Sequence, residues 1–153
     1  MKHSELDEID IRILNILQKN ARRTIKEIAE EVCLSSPAVS NRIEKLEKEG
    51  YILGYQAQVN PTALGFYTKA FICLEVAPME KEKFYYFIQD CPNVVECNCV
   101  TGEYSMLLEV LFPTPAALDS FIGELQKYGR TKTLVVFSTS VEHRGVEIPA
   151  DYA

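Results

Sequence analysis

No stretch of this chain approaches the ~18 consecutive apolar residues that a membrane-spanning helix requires. The opening residues, MKHSELDEID, are polar and acidic rather than basic and then apolar, so no secretory signal is expected and the location expected is cytoplasmic. Histidine is scarce: His3 and His143 lie far apart, and neither sits in a catalytic or metal-binding motif. With no nucleophile–base pair and no phosphate-binding loop either, an enzyme is not expected, and neither is a cofactor. Cysteine is limited to Cys33, Cys73, Cys91, Cys97 and Cys99, an odd set lying mostly in apolar stretches. That pattern points to buried, reduced thiols. Cys97 and Cys99 share a strand face, but no His or further close Cys pair completes a zinc-like set, so no metal is expected. Positive charge is in short supply as well. Lys and Arg number 16 against 22 Asp and Glu, a net charge of −6. The first sixty residues are close to neutral and most of the deficit lies downstream. Nucleic-acid binding at the N-terminal end therefore stays open, without support from bulk charge.

What is present is the composition of a folded protein. Hydrophobic residues make up 47% and charged residues 25% of 153, which argues against disorder and allows one domain or two small ones. Three helical patterns open the chain. Leu6 to Lys19 places Leu6, Ile9, Ile13, Ile16 and Leu17 on one face, with Ile11 off that stripe and facing another element or subunit. Asp7 and Asp10 at its start complement the helix dipole. Ile25 to Val32 follows a Thr24–Glu27 capping box and carries Ile25, Ile28, Ala29 and Val32 at helical spacing. Ser36 to Glu49 is capped by Ser35 or Ser36, has Pro37 in its first turn and stops at Gly50.

The joint Cys33-Leu34-Ser35 between the second and third helices is short enough for a helix-turn-helix. Opposite the apolar stripe of the third helix (Val39, Ile43, Leu46) lie Pro37, Asn41, Lys45 and Lys48, flanked by Ala38, Ser40 and Arg42. Small residues let the backbone approach a groove floor. Ser40, Asn41 and Arg42 are then suited to base edges, and Lys45 and Lys48 to phosphates. The same composition also fits a three-helix bundle whose third face is merely solvated. After Gly50 the stretch Tyr51 to Val59 reads as a strand broken by Gly54, in the position of a wing, before Asn60-Pro61 stops it.

From Thr68 the pattern changes to β-α-β-β-α-β. Strands are expected at Thr68 to Val76, Val94 to Val100, Met106 to Phe112 and Thr131 to Val141, with helices at Glu80 to Asp90 and Pro115 to Tyr128. That order is a ferredoxin-like sandwich, making the whole chain α+β. Two helices cover one face of a four-stranded sheet, yet the strands are apolar on both: Phe71 and Cys73 against Ile72 and Leu74, Leu107 and Leu111 against Leu108 and Val110. A solvated face should be polar, so the second face calls for a partner, most simply another copy of the chain. The domains expected are 1–60, a linker 61–67, and 68–153.

The string Leu6-Asp7-x-x-Asp10-x-x-Ile13-Leu14, then Asn20-Ala21-Arg22, Ile28-Ala29, Leu34-Ser35, Val39, Arg42-Ile43, Leu46-Glu47, Gly50-x-Ile52 and Gly54-Tyr55 resembles the Lrp/AsnC ("feast/famine") regulators. Val100-Thr101-Gly102-Glu103-Tyr104 resembles a segment of that family's effector domain, the RAM domain. The resemblance implies a DNA-binding regulator with a winged helix-turn-helix, dimers that assemble into tetramers or octamers, and a small-molecule effector such as an amino acid. It implies DNA contacts by a recognition segment including Ser35, Ser36, Pro37, Ala38, Ser40, Asn41, Arg42 and Lys45, with Arg22, Arg23 or Lys26 toward the backbone. It implies an effector near Thr101, Gly102, Glu103, Tyr104 and Ser105. Where the family commonly has Asp, this chain has Ser105, which leaves Glu103 to meet an ammonium group. Without a ligand, the same turn is a tight hairpin. The competing reading is an interaction protein whose first domain does not bind DNA, in keeping with the acidic balance and with Glu44, Glu47 and Glu49 on the third helix.

Overall fold

A computed structural model describes residues 6–149 of the chain; His3 lies outside them. The polypeptide forms two compact units. One comprises residues 6–57 together with 141–149, the other residues 58–140.

The first unit is built on three helices, α1 (Glu8–Lys19), α2 (Ile25–Val32) and α3 (Ser36–Lys48). Each start is set by a side chain that satisfies an otherwise orphaned amide. Asp7 and Asp10 form a reciprocal capping box on α1, Thr24 and Glu27 form another on α2, and Ser35 accepts from the Ala38 amide on α3. The core joins Leu6, Ile13, Ile16, Ile28, Ala29, Val32, Val39, Ile43 and Leu46. Ile11, off the expected stripe, is also in this core at 1% exposure, so it meets neighbouring elements of its own unit. At the far end of α3, Gly50 takes a left-handed conformation (φ 80°) and the Tyr51 amide returns to the Leu46 carbonyl at 2.9 Å, closing the helix.

The expected wing strand differs. Residues 52–60 form no strand and are exposed from Leu53 onward. A strand needs a ladder, and β propensity alone does not supply a neighbour. The tail also differs from expectation. The Asn15 side chain clasps the Ile148 backbone, the Gln18 amide donates to the Val146 carbonyl, and Ile148 packs on the helical core. The last nine described residues therefore belong with the first unit and not with the sandwich to which 68–153 was assigned.

The second unit contains β1 (Thr68–Val76), α4 (Lys81–Gln89), β2 (Val94–Cys99), β3 (Met106–Phe112), α5 (Pro115–Leu125) and β4 (Gly129–Val135). Its single antiparallel sheet runs in the order β2-β3-β1-β4, the arrangement of a ferredoxin-like sandwich. Alternation decides what each face meets. Ala70, Ile72, Leu74 and Val76 of β1, with Met106, Leu108, Val110 and Phe112 of β3, face Phe84 and Ile88 of α4 and Leu118 and Leu125 of α5. β4 stops at Val135 instead of running to Val141. β1 begins at Thr68, so the ladder ends with the Val136 amide on the Lys69 carbonyl. The cysteines are less buried than expected. All are free, Cys33 and Cys99 are exposed, and Cys73, Cys91 and Cys97 are half-buried.

Candidate nucleic-acid interface and effector turn

The helix-turn-helix joint is made by Cys33, whose backbone turns left-handed (φ 57°) as the C-cap of α2, while the Leu34 amide returns to the Ala29 carbonyl at 3.0 Å. Glycine would take this conformation at lower cost. With Ser35 capping the next helix and Pro37 pre-set for its first turn, the chain turns sharply and leaves the N-terminal end of α3 outward.

Val39, Ile43 and Leu46 of α3 are buried. Ser35, Ser36, Pro37, Asn41, Lys45 and Lys48 are exposed, and Ala38 and Ser40 half-exposed. Ser40 lies 3.4 Å from Glu44, a long hydrogen bond that leaves the hydroxyl available. Arg42 belongs to a different network. Its Nη1 donates to Asp7 at 2.6 Å and to Asp10 at 2.7 Å, and the Asp10 side chain is only 4% exposed. The guanidinium therefore ties α3 to the start of α1, and base-edge contact, which the sequence reading gave it, is not where this geometry points. The ion pair holds the arginine proton more tightly than usual. Burial pushes the Asp7 carboxyl up, but the Asp10 amide and the Arg42 guanidinium outweigh it and hold it below the ordinary range.

The basic turn before α2 divides in the same way. Arg22 is exposed, with its amide bonded to the Asn20 side chain. Arg23 is drawn inward to Glu31 at 2.8 Å, leaving its Nε buried without a hydrogen bond. Beyond α3, the Tyr55 hydroxyl donates to Glu47 at 2.8 Å. Burial and that carboxylate push the phenol up to about 12.

In the second unit, Thr101 to Ser105 joins β2 to β3. Gly102 sits at φ 120°, which a side chain rarely tolerates. Thr101, Gly102 and Glu103 are exposed. Ser105 is committed to the sheet: its hydroxyl accepts from the Val76 amide at 3.0 Å and donates to the Leu74 carbonyl at 3.3 Å. The Arg130 guanidinium on β4 bonds to Glu103 at 2.8 Å and to Glu75 at 3.1 Å, and lies over the Tyr104 ring at 5.1 Å. Arg130 was absent from the sequence reading because 27 residues separate it from Glu103; only strand pairing brings Glu75 and Arg130 opposite each other.

A capped three-helix head presenting a polar helix end, on the same chain as a ferredoxin-like unit, defines a helix-turn-helix DNA-binding regulator. A family model for a winged helix-turn-helix DNA-binding domain matches residues 6–52, and one for the Lrp/AsnC ligand binding domain matches residues 69–146. The chain is 37% identical over 132 residues to the HTH-type transcriptional regulator LrpA of Bacillus subtilis, covering 86% of this chain and 97% of that protein. It is 34% identical over 119 residues to the regulator Ptr1 of Methanocaldococcus jannaschii, covering 78% of this chain and 80% of that one. Among solved structures, B. subtilis LrpC aligns with a TM-score of 0.87 at 29% identity, covering 92% of this chain and all of that one. A transcriptional regulator of Neisseria meningitidis, solved as its L-Met complex, aligns with a TM-score of 0.87 at 28% identity, covering 96% and 98%. The chain belongs to the Lrp/AsnC family of transcriptional regulators. Its N-terminal winged helix-turn-helix is a DNA-binding domain, and its C-terminal half is a ligand-binding domain of ferredoxin-like fold. No helix among the described residues is long and apolar enough to cross a membrane.

Proposed function

We propose that this regulator works in the cytoplasm, without catalytic activity, as a homodimer or a larger assembly of dimers that reads double-stranded DNA with α3 and responds to a small molecule at the 101–105 turn. The observation that carries the reading is the division of α3 into a buried apolar stripe and an exposed first two turns. Ser36, Pro37, Ala38, Ser40 and Asn41 approach base edges, Ser35 and the helix N-terminus meet a phosphate, and Lys45 and Arg22 reach the backbone. Arg42 and Arg23 act from behind, as anchors.

The second copy is supported by the outer face of the sheet. Phe71 and Cys73 of β1, Leu107 and Leu111 of β3 and Leu134 of β4 lie opposite the helices, with Leu134 49% exposed. Apolar area left in water costs about 25 cal/mol per Å², so sheet-to-sheet packing favours association. Two linked heads also bind more tightly than one, which offsets a modest basic footprint.

For the effector, the bound L-Met of the Neisseria regulator supports an amino acid. Ser105 offers no carboxylate, so Glu103 and Glu75 are left for an ammonium group and Arg130 for a carboxylate. The test is a low-salt gel shift against the DNA upstream of the coding region, followed by a thermal-shift screen of amino acids. Failure to shift both specific and random duplex sinks the DNA reading. A true effector at ~100 times its dissociation constant adds about 2.7 kcal/mol, and absence of any shift across the amino acids sinks the effector assignment.

A further inference from the structure

The chain passes between its two units twice, near residues 57–58 and again near 140–141. The second crossing ends in a built site. Asn15 treats the Ile148 peptide as a strand would, its Nδ2 donating to the carbonyl at 2.9 Å and its Oδ1 accepting from the amide at 3.0 Å. One helical turn on, Gln18 donates to the Val146 carbonyl at 3.0 Å. Ile148 packs on the helical core. Glu147 and Glu31 line a cleft with Arg12, Lys19 and Arg23, and Glu31 already takes Arg23 at 2.8 Å. Fit is close at the near end: a Cβ on Gly145 would meet the Gln18 Oε1 at 1.9 Å. Backbone bonding fixes the register, and glycine, isoleucine and an acidic residue fill set places along it. A tail that merely lay on the surface would need none of this.

We propose that residues 145–148 are a latch, docked in a receptor on α1, which gives the DNA-binding head a second attachment to the ligand-binding half. A head held at one crossing moves as a pendant on a flexible linker. Held at two, it loses much of that freedom. The receptor lies on the same helix whose N-terminal end holds Arg42, so the latch bears directly on the element that orients α3. That last consequence rests on α3 being the DNA reader; the docking itself does not.

The experiment compares the full-length chain with Asn15→Ala and Gly145→Ala by amide hydrogen exchange, trypsin cleavage after Arg144 and amide ¹⁵N relaxation. Alanine is the better helix former, so Asn15→Ala leaves α1 intact. The Ile148 amide is expected to be protected in the wild type and to exchange at least about tenfold faster in Asn15→Ala. Cleavage after Arg144 speeds up while exchange within α1–α3 stays unchanged. Gly145→Ala, which displaces only Gln18, gives a smaller change. Relaxation should give the Asn15→Ala head a shorter tumbling time than the wild-type head. Wild-type Ile148 exchanging at the free-chain rate overturns the proposal. So does Asn15→Ala changing exchange but not tumbling, since the segment is then only packing. None of these readouts needs DNA, so a failed gel shift on the same samples would count against the proposed function alone.

Discussion

Replacing Arg42 by alanine should unfold the head before it alters base recognition. The substitution leaves the Asp10 carboxylate, 4% exposed, with the Asp7 amide at 3.3 Å and no cation. Breaking a fully buried pair costs about 3–5 kcal/mol. The Arg42 side chain is 30% exposed, so water screens part of the interaction, and about 2–3 kcal/mol is the reasonable share. In a unit of this size each kcal/mol moves the midpoint by about 4–8 °C, so the head should melt roughly 10–20 °C lower. Amide exchange on α1–α3 during thermal unfolding reads the head without interference from the sandwich. Because one nitrogen, Nη1, serves both carboxylates, Arg42→Lys should recover a good part of the loss. Adding Asp10→Asn to Arg42→Ala should cost less than the two single changes summed, by about 1–2 kcal/mol. The reasoning is refuted if Arg42→Ala melts within about 2 °C of the wild type while the folded protein loses specific DNA affinity. Arg42 would then be a reader.

Other consequences are open to measurement. Asn41→Ala should leave the melting temperature unchanged and weaken specific DNA binding by ~1–3 kcal/mol, with little effect on random duplex. Cys33→Gly should raise the head's stability by about 1 kcal/mol, because the left-handed cap of α2 is strained for any residue with a Cβ; an unchanged denaturation midpoint would contradict this. The depressed Asp7 carboxyl stabilises the head fully above about pH 4, its unfolded range, and that contribution is lost as pH falls through the lower folded value. Asp7→Asn should therefore flatten the head's stability profile as pH falls below about 5, as followed by circular dichroism. Phe71→Asp should halve the mass found by light scattering if the open sheet face is the dimer seam, and leave it unchanged if it is not.

Local features of this chain were legible in the sequence, and long-range commitments were not. Thr24 and Ser35 act on amides three residues away, so spacing reveals them; Asp7, read only as a charge complementing the dipole, caps its helix in the same way. The strands β1 and β3 were legible from alternation because each buries one face. Arg42 looked like a reader because it flanks the exposed face of α3, while its partners lie 32 and 35 residues away. Ser105 looked like a ligand position until its hydroxyl was found on β1. Residues 51–59 read as a strand because periodicity reports side-chain character and not the presence of a neighbour. The tail was assigned to the nearer half for want of any local signal that Asn15 would receive it.

The Asp7–Asp10–Arg42 knot shares no side chain with the surface proposed to read DNA. If Ser40 and Asn41 read base edges, as proposed, they can be exchanged while the scaffold under them stays assembled. Such a head can be re-addressed: one architecture can be copied, given new contact residues and sent to a different promoter without having to learn to fold again.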